Sequence, residues 1–481
     1  MKAVSKQLEE ALPDYIAGQR WYRAKARTIA KLQIQDVIPV KTAGIQIFIV
    51  RISYTDGDGD TYLLPLSTAA DKPHDALTDA EFRDSLLNAI ACGQTFESTE
   101  GSLRASRTGA LHRDCDPSGP KLESFVSHAE QSNSSIIFGD RFILKIFRKL
   151  EPGINPDLEI GCFLTERGFK YTPAVLGQLE YRPKQGESMY AGILQGFVRN
   201  QGDAWKYTLD SLKEFFVRAL QNGSAPTLDT YHPMELCGEE LPALARQTIG
   251  EYIESARLLG ARTAQMHAAL ADSRSGPDFE PEPFTPEHAR HLYRDMLDQA
   301  ESTFHLLRDR SGKLSDDAKS KVLERFSSLR DQEITAVRIR HHGDFHLGQV
   351  LYTGDDFIII DFEGEPARPL AQRRVKTLAM RDVAGMIRSF SYAAYAAFEP
   401  AEIDRAESWV SFWAAWVGAE YLKAYFETAA DAPFVGASET ERRILFDAFV
   451  LQKALYEVSY ELNNRPDWVH IPLRGIVNLV D

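Results

Sequence analysis

The run from His341 to Glu365, HHGDFHLGQVLYTGDDFIIIDFEGE, constrains the fold more than any other part of the chain. Asp344 lies on a polar loop, and Gln349 follows five residues later. Two short apolar segments around the turn at 354–356 predict a β-hairpin that ends directly before Asp361. The sequence therefore places two carboxylates and one amide at the base of one small hairpin.

This spacing matches the catalytic loop of kinases. There a His-x-Asp motif is followed, five residues after the Asp, by an amide side chain, and a metal-binding Asp comes after the next hairpin. The chemistry explains the spacing. One carboxylate accepts the proton of the acceptor hydroxyl, and a second carboxylate and an amide oxygen hold magnesium against the phosphates of ATP. We therefore predict that Asp344 is the catalytic base and that Gln349 and Asp361 bind magnesium.

Other interpretations of this chemistry have less support. His342 and His346 are spaced as a metal pair on a helix, but Gly343 and Gly348 argue against a helix there. The chain contains neither G-x-x-x-x-G-K-[ST] nor G-x-G-x-x-G, so the P-loop and dinucleotide-binding fingerprints are missing. A glycine-rich phosphate loop of the protein-kinase type is missing as well.

An upstream segment, 136–147, supplies a lysine of the kind that kinases use on nucleotide phosphates. Two apolar strands flank the turn Gly139–Asp140, and Lys145 lies on the second strand among apolar neighbours. A buried ammonium needs an anionic partner, whereas on an edge strand it would reach water. Glu159, on the buried side of a helix capped by Asn155, is the predicted partner that holds Lys145 on the phosphates.

The polar run QSNSS, residues 131–135, precedes this hairpin. Alone it is a simple turn between strands. Together with Lys145, it is predicted to close over the phosphates through the amides and hydroxyls of four residues: Ser132, Asn133, Ser134 and Ser135.

The order of elements predicts an α+β chain with a bilobal fold of the eukaryotic-protein-kinase type and an N-terminal, strand-rich cap subdomain. The predicted parts are the cap at 1–108, a strand-rich N-lobe at 109–200 and a mainly helical C-lobe at 201–481. Helices are predicted at 209–221, 247–270, 286–308 and 315–329, before a strand-rich interruption at 336–361.

Composition excludes several classes of protein. Among 481 residues, 55 Lys and Arg against 69 Asp and Glu give a net charge of −14, which argues against sequence-independent nucleic-acid binding. Four widely spaced cysteines predict free thiols rather than a zinc or redox motif. The apolar stretch 409–419 is too short to cross a bilayer and is expected to be a buried helix, and the first residues, MKAVSKQLEEALPDYI, lack the apolar core expected of a signal peptide. These features predict a cytoplasmic protein without membrane contact.

At this point the sequence resembles the maltokinases, bacterial sugar kinases with an aminoglycoside-phosphotransferase-like fold. RWYRAKAR departs from the family, which tends to have two glycines before the lysine. The matching stretches are RWYRAKAR (20–27), NSSIIFGDRFILKIFRKLEPG (133–153), NPDLEIGCFLTERG (155–168), LQGFVRNQGDAW (194–205), HGDFHLGQVL (342–351), IDFEGEPARPLAQRRVK (360–376), RDVAGMIRSF (381–390) and KALYEVSYELNNRPDW (453–468).

The resemblance implies transfer of the γ-phosphate of ATP to the anomeric hydroxyl of maltose, which gives maltose 1-phosphate for α-glucan synthesis from trehalose. A separate trehalose synthase is an implied partner. Glu363 is implied as a further magnesium ligand. The likeness to kinases also implies an adenine hinge at Gln195, Gly196, Phe197 and Val198. A related sugar or aminosugar kinase, for example of glucosamine, and a non-catalytic binding protein on the same scaffold remain alternatives.

The acceptor site is expected on the late helix, where Lys453, Tyr456 and Tyr460 share one face at i, i+3 and i+7. Tyrosine offers an aromatic wall and a hydroxyl, which suits a disaccharide, although an ordinary aromatic core stripe gives the same spacing. His346 is expected to contact the same substrate. The basic run 368–381 is either a solvated face or an aid to phosphate binding, and Asp382 is expected to anchor the catalytic loop.

Overall fold

The computed structural model describes residues 6–67, 72–111, 121–127, 132–272, 276–310, 314–366, 368–397 and 403–480. It divides into two compact units, Met1–Arg199 with Pro366–Arg373 and Asn200–Glu365 with Arg374–Asp481. Cys115 and Gln131, on which two of the predictions bear, lie outside the described residues. Cys92, Cys162 and Cys237 are free thiols, as predicted.

The described residues of the first unit form two antiparallel sheets. The elements are α1 (Lys6–Ala17), β1 (Ile29–Pro39), β2 (Ile45–Tyr54), β3 (Asp60–Ser67), β4 (His74–Asp75), α2 (Ala80–Cys92), β5 (Thr95–Glu97), β6 (Gly101–Arg107), β7 (Ser124–Ser127), β8 (Asn133–Phe138), β9 (Phe142–Phe147), β10 (Lys149–Leu150), α3 (Pro156–Glu166), β11 (Val175–Pro183), β12 (Met189–Gly196) and α10 (Leu370–Arg373). One sheet has the strand order β1-β2-β3-β10 with β4 beside β3, and the other has the order β5-β6-β11-β12-β9-β8-β7.

The β8–β9 hairpin confirms the alternation of faces predicted around Lys145. Three residues, 139–141, lie between the paired Phe138 and Phe142, so the turn is one residue longer than predicted. Gly139 takes a φ of +55°, which favours glycine. The side chains of Phe142, Leu144 and Ile146 enter one apolar core, while Phe147 packs in a second core with Leu158 of α3. Lys145 therefore lies on the face that α3 covers.

The second unit is mainly helical. Its elements are α4 (Ala204–Ala219), α5 (Pro233–Leu236), α6 (Ala243–Ile249), α7 (Tyr252–Leu270), α8 (Pro286–Asp309), α9 (Asp316–Asp331), β13 (Arg338–Ile339), β14 (Val350–Tyr352), β15 (Phe357–Ile359), β16 (Thr377–Leu378), α11 (Met380–Ala396), α12 (Ile403–Ala429), α13 (Glu439–Asn464) and α14 (His470–Val480). The helix predicted at 247–270 is two helices, because Gly250 has a φ of +71° and ends α6.

The apolar stretch 409–419 lies inside this unit, as predicted. Trp409 and Trp413 of α12 are fully buried, and Tyr252 of α7 packs against the Trp413 ring at 5.3 Å. Among the described residues, no helix is both long and apolar enough to span a bilayer. Aromatic packing between α7 and α12 thus fixes the helical framework on which the loop at 340–349 is mounted.

Candidate active site

The loop that carries Asp344 is fixed by a buried carboxylate. The backbone N–H groups of His342 and Gly343 donate to the two oxygens of Asp382, at 2.7 and 2.9 Å. His267 of α7 lies 3.2 Å from the same carboxylate. Burial opposes ionisation, but the hydrogen bond to His267 and nearby imidazoles hold the pKa of Asp382 well below its usual value. Asp382 therefore has the anchoring role that the sequence predicted for it.

Asp344 lies beside two cationic or potentially cationic side chains. The Nζ atom of Lys453 is 3.2 Å from Oδ1, and the Nε2 atom of His346 is 4.0 Å from Oδ2. Burial disfavours the charged form of Asp344, but Lys453 and His346 outweigh it and lower the pKa of the carboxyl. Asp344 is therefore an ionised carboxylate at neutral pH, in the state required of a base. The sequence placed Lys453 at the acceptor but did not foresee this ion pair.

Backbone pairing brings Gln349 and Asp361 to the same end of the hairpin. The N–H of Ile360 donates to the carbonyl oxygen of Gln349 at 3.0 Å, and His342 Nε2 lies 2.9 Å from the carbonyl oxygen of Ile360. Asp361 has a φ of +67°, a conformation that costs a residue other than glycine about 1–3 kcal/mol and is typical of functional positions. Because Ile360 directly precedes Asp361, its hydrogen bond to Gln349 keeps the backbones of the two predicted magnesium ligands close together.

Glu363 adds a second carboxylate to this end of the hairpin. Its carboxylate oxygen lies within 4.8 Å of that of Asp361, and both side chains are half-buried. Carboxylate and amide oxygens are the donors that magnesium prefers. The donor set Gln349, Asp361 and Glu363 therefore fits that ion in chemistry, and the two carboxylates also fit it in proximity.

In the first unit, Lys145 has a carboxylate partner that the sequence analysis missed. Its Nζ atom is 3.2 Å from Oδ2 of Asp157, and the two side chains are only 9% and 2% exposed. Asp157 is in the first turn of α3, where its N–H donates to the capping Asn155 side chain. The earlier choice of Glu159 rested on helix periodicity; Glu159 is half-buried in the same helix. Its pairing with Lys145 stays a prediction.

The polar run before the hairpin differs from the expected loop between strands. Asn133 begins β8, so Asn133, Ser134 and Ser135 are paired with β9 and only Ser132 precedes the strand. Ser134 is buried and accepts a hydrogen bond from Arg148 Nε at 2.8 Å. Ladder pairing holds this backbone in an extended form, because the following apolar residues continue one strand. Binding of ATP by these residues stays a prediction.

Ser135 and the predicted hinge have defined places around Lys145. Ser135 is the cross-strand partner of Lys145 and is buried. Gln195 and Gly196 end β12, the next strand of the sheet, and the N–H of Phe197 donates to the carbonyl of Arg141 at 2.9 Å. Residues 195–198 are half-buried, and their contact with adenine stays a prediction.

An aromatic strip on α13 starts at the Asp344–Lys453 pair. The Nζ atom of Lys453 is 5.0 Å from the ring centre of Tyr456, whose ring stacks on that of Tyr460 at 6.4 Å. Tyr460 is 46% exposed, so this face is not an ordinary core stripe. The strip thus provides a cation beside the predicted base, followed by two stacked rings.

The basic run at 368–381 is not a simple solvated face. Lys376 is buried and donates to two carbonyl groups and to Glu282, at 2.6–2.7 Å. Arg381 pairs with Glu365 at 3.1 Å, and Arg373 pairs with Glu151 in the first unit. At least three of these cations therefore have protein carboxylates as partners.

Comparison with known proteins gives independent support for this chemistry. Residues 15–86 match the maltokinase N-terminal cap domain, and residues 218–373 match the phosphotransferase enzyme family. A glucosamine kinase of Mycolicibacterium smegmatis is 26% identical over 364 residues, which cover 73% of this chain and 78% of that protein. A glucosamine kinase of Streptacidiphilus jiangxiensis is 25% identical over 367 residues, covering 73% and 72%.

Solved structures show the same fold. A glucosamine kinase in complex with glucosamine, ADP and inorganic phosphate superimposes with a TM-score of 0.64 at 20% identity, covering 94% of this chain and 95% of that one. A second crystal form of a glucosamine kinase gives 0.67 at 19% identity, covering 97% and 98%. The mixed helix-and-strand kinase fold predicted from the sequence is confirmed.

The chain is thus a phosphotransferase with a kinase-like fold. Within that class it carries the N-terminal cap of the maltokinases, which confirms the family resemblance found in the sequence.

Proposed function

We propose that this protein is an ATP-dependent maltokinase, which transfers the γ-phosphate of ATP to the anomeric hydroxyl of maltose and yields maltose 1-phosphate. The product would feed α-glucan and glycogen synthesis from trehalose in the cytoplasm, with trehalose synthase as a separate partner. The observation that carries the proposal is Asp344, ionised and paired with Lys453, in a chain with a maltokinase cap.

In the proposed reaction, Asp344 orients the sugar hydroxyl and accepts its proton as the new O–P bond forms and the bond between the γ-phosphorus and the β–γ bridging oxygen breaks. Lys145, steadied by Asp157, contacts the phosphates of ATP. Gln349, Asp361 and Glu363 would hold magnesium, which when bound neutralises phosphate charge. Positioning and charge compensation therefore account for most of the rate enhancement.

The choice of maltose rests on the aromatic strip of α13 as well as on the cap. Tyr456 and Tyr460 present two stacked rings along one direction from Asp344, with Tyr460 open to solvent. Sugar rings pack on aromatic faces, and tyrosine adds a hydroxyl for hydrogen bonding. Two rings in a row suit an acceptor of two sugar units better than a single one.

A glucosamine kinase is the second candidate, because two curated relatives that match most of the chain carry that name. A non-catalytic binding protein on the same scaffold is disfavoured, since Lys145, Asp344, Gln349 and Asp361 are all present.

A panel of acceptors tests the proposal. Purified protein with ATP and magnesium is assayed for ADP release with maltose, glucose, trehalose and glucosamine. We expect maltose to give the highest kcat/KM. Preference for glucosamine would replace maltose with the second candidate, and failure to phosphorylate any sugar would remove both kinase assignments.

A further inference from the structure

We infer that Lys453 sets the charge class of the acceptor, favouring neutral sugars and disfavouring sugars that carry an ammonium group. The inference rests on the proposed function, since it takes Asp344 as the base that meets the acceptor hydroxyl. It adds a specificity role to a side chain that also pairs with that base.

Distance is the first argument. The Nζ atom of Lys453 is 3.2 Å from Oδ1 of Asp344. The reacting hydroxyl must come within about 2.6–3.2 Å of the same carboxylate. Any acceptor therefore has its reacting end within a few ångströms of a fixed cation. An ammonium group on the same sugar ring lies close enough for repulsion worth roughly 10-fold to 100-fold in kcat/KM in a partly buried site.

The surrounding carboxylates give the second argument, because they are already compensated. One oxygen of Glu457, a turn after Lys453 on α13, accepts two hydrogen bonds from Arg388, at 2.7 and 2.9 Å. Glu365 pairs with Arg381 at 3.1 Å. A site built to select a cationic sugar needs a carboxylate that the ligand itself neutralises. Here both of these carboxylates have a guanidinium partner.

Both carboxylates also act on Lys453. Burial opposes its charge, but Asp344, Glu365 and Glu457 together raise its pKa above the usual value. The ammonium is thus retained at neutral pH.

The test compares glucose with glucosamine, which differ by a hydroxyl against an ammonium group, with maltose as the reference acceptor. The variants are Lys453→Met, which removes the charge, and Lys453→Arg, which keeps it. Lys213→Met is the matched control, because Lys213 forms an exposed lysine–aspartate pair with Asp210 on α4. Wild type is expected to use the neutral sugars at least 10-fold better than glucosamine.

Lys453→Met is expected to raise the ratio of kcat/KM for glucosamine over glucose by about 10-fold or more, while Lys453→Arg and Lys213→Met leave it within about 2-fold. If glucose is not turned over, maltose replaces it in the ratio. An unchanged ratio in Lys453→Met, or a wild type that prefers glucosamine, overturns the inference. If Lys453→Met is inactive on every sugar, the ratio of its calorimetric affinities for glucosamine and glucose is compared with that of the wild type instead. A wild type that phosphorylates no sugar refutes the proposed function instead.

Discussion

Two lysine–aspartate pairs, one in each unit, have the same separation and different surroundings. Lys145 and Asp157 lie 3.2 Å apart with side chains 9% and 2% exposed. Lys453 and Asp344 also lie 3.2 Å apart, but their side chains are 23% and 21% exposed. Separating fully buried charges leaves each in a poor solvent, whereas charges that are partly exposed can exchange their partner for water or a ligand at lower cost. The buried pair therefore suits permanent positioning, and the more exposed pair suits exchange with a substrate.

The largest effect is expected at the exchangeable pair. Asp344→Asn should lower kcat by about 1,000-fold or more, because the amide cannot take the hydroxyl proton. Affinity for ATP, measured by calorimetry, should change by less than about 3-fold. Asp355→Asn, an exposed change in the same hairpin, is the control and should retain wild-type turnover. Near-normal turnover in Asp344→Asn would remove Asp344 from the base role.

The buried pair should respond in stability as well as in activity. Lys145→Met leaves Asp157 buried without its 3.2 Å lysine partner, which should cost about 3–5 kcal/mol of unfolding free energy and weaken ATP binding. Lys453→Met should cost less than Lys145→Met, because the Lys453–Asp344 pair is less buried. Urea unfolding and ATP titration measure both. Equal losses of stability from the two lysines would contradict the contrast between the pairs.

Restoring neutrality sharpens this test. In Lys145→Met with Asp157→Asn, the buried charge is gone, so most of the lost stability should return. ATP affinity should stay low, because the cation that contacts the phosphates is still absent. Recovery of ATP binding in the double variant would show that Lys145 is only structural.

Acid should weaken the packing that supports the catalytic loop, and with it the Asp344–Lys453 pair. His341, directly before the catalytic loop, is buried, and burial lowers its pKa to about 3. An unfolded histidine has a pKa of about 6.5, so the unfolded state binds more protons between pH 6.5 and 3. The contribution of His341 to stability is therefore complete above pH 6.5 and falls by up to about 1.4 kcal/mol per pH unit below it.

Tryptophan fluorescence reports this loss, since five of the six tryptophans lie in the second unit. His341→Gln should flatten the pH dependence of unfolding between pH 6.5 and 4. His305→Gln, at a histidine 67% exposed on α8, should leave it unchanged. A wild-type unfolding free energy that does not fall below pH 6.5 would contradict the role given to His341.

The smallest expected effect is a shift in a pH profile. Lys453 lowers the pKa of Asp344, so Lys453→Met should move the acid limb of kcat/KM for maltose to higher pH. Lys453→Arg should keep the wild-type limb. An acid limb that does not move in Lys453→Met would mean that another group titrates there.

For each of the two pairs, at least one member could be predicted from the sequence and the pairing itself could not. Lys145 on its strand and the spacing of Asp344, Gln349 and Asp361 could be predicted, because hairpins and loops produce local patterns in the sequence. The assignment of Asp157 to Lys145 could not be predicted, because helix periodicity favoured Glu159 and the approach of α3 to the sheet is tertiary. Asp157 and Glu159 both lie in the first turn of α3, so no local signal separates the two acids.

Longer-range features left no local signal. Lys453 is 109 residues from Asp344, so only packing of α13 beside the catalytic loop brings them together. The strand pairing of Asn133–Ser135 was also missed, since three polar residues in a row favour a turn on local grounds. Their ladder with β9 overrides that preference. Asp382 was placed correctly because it directly follows the basic run on a well-marked helix.

The most direct measurement is phosphorus NMR of the product formed from ATP and maltose. The proposed function predicts one new phosphate monoester that couples to the anomeric proton of the reducing glucose unit, in amounts equal to ADP. No such signal should form with Asp344→Asn. A phosphate on another hydroxyl, or inorganic phosphate as the only product, would contradict transfer to the anomeric position of maltose.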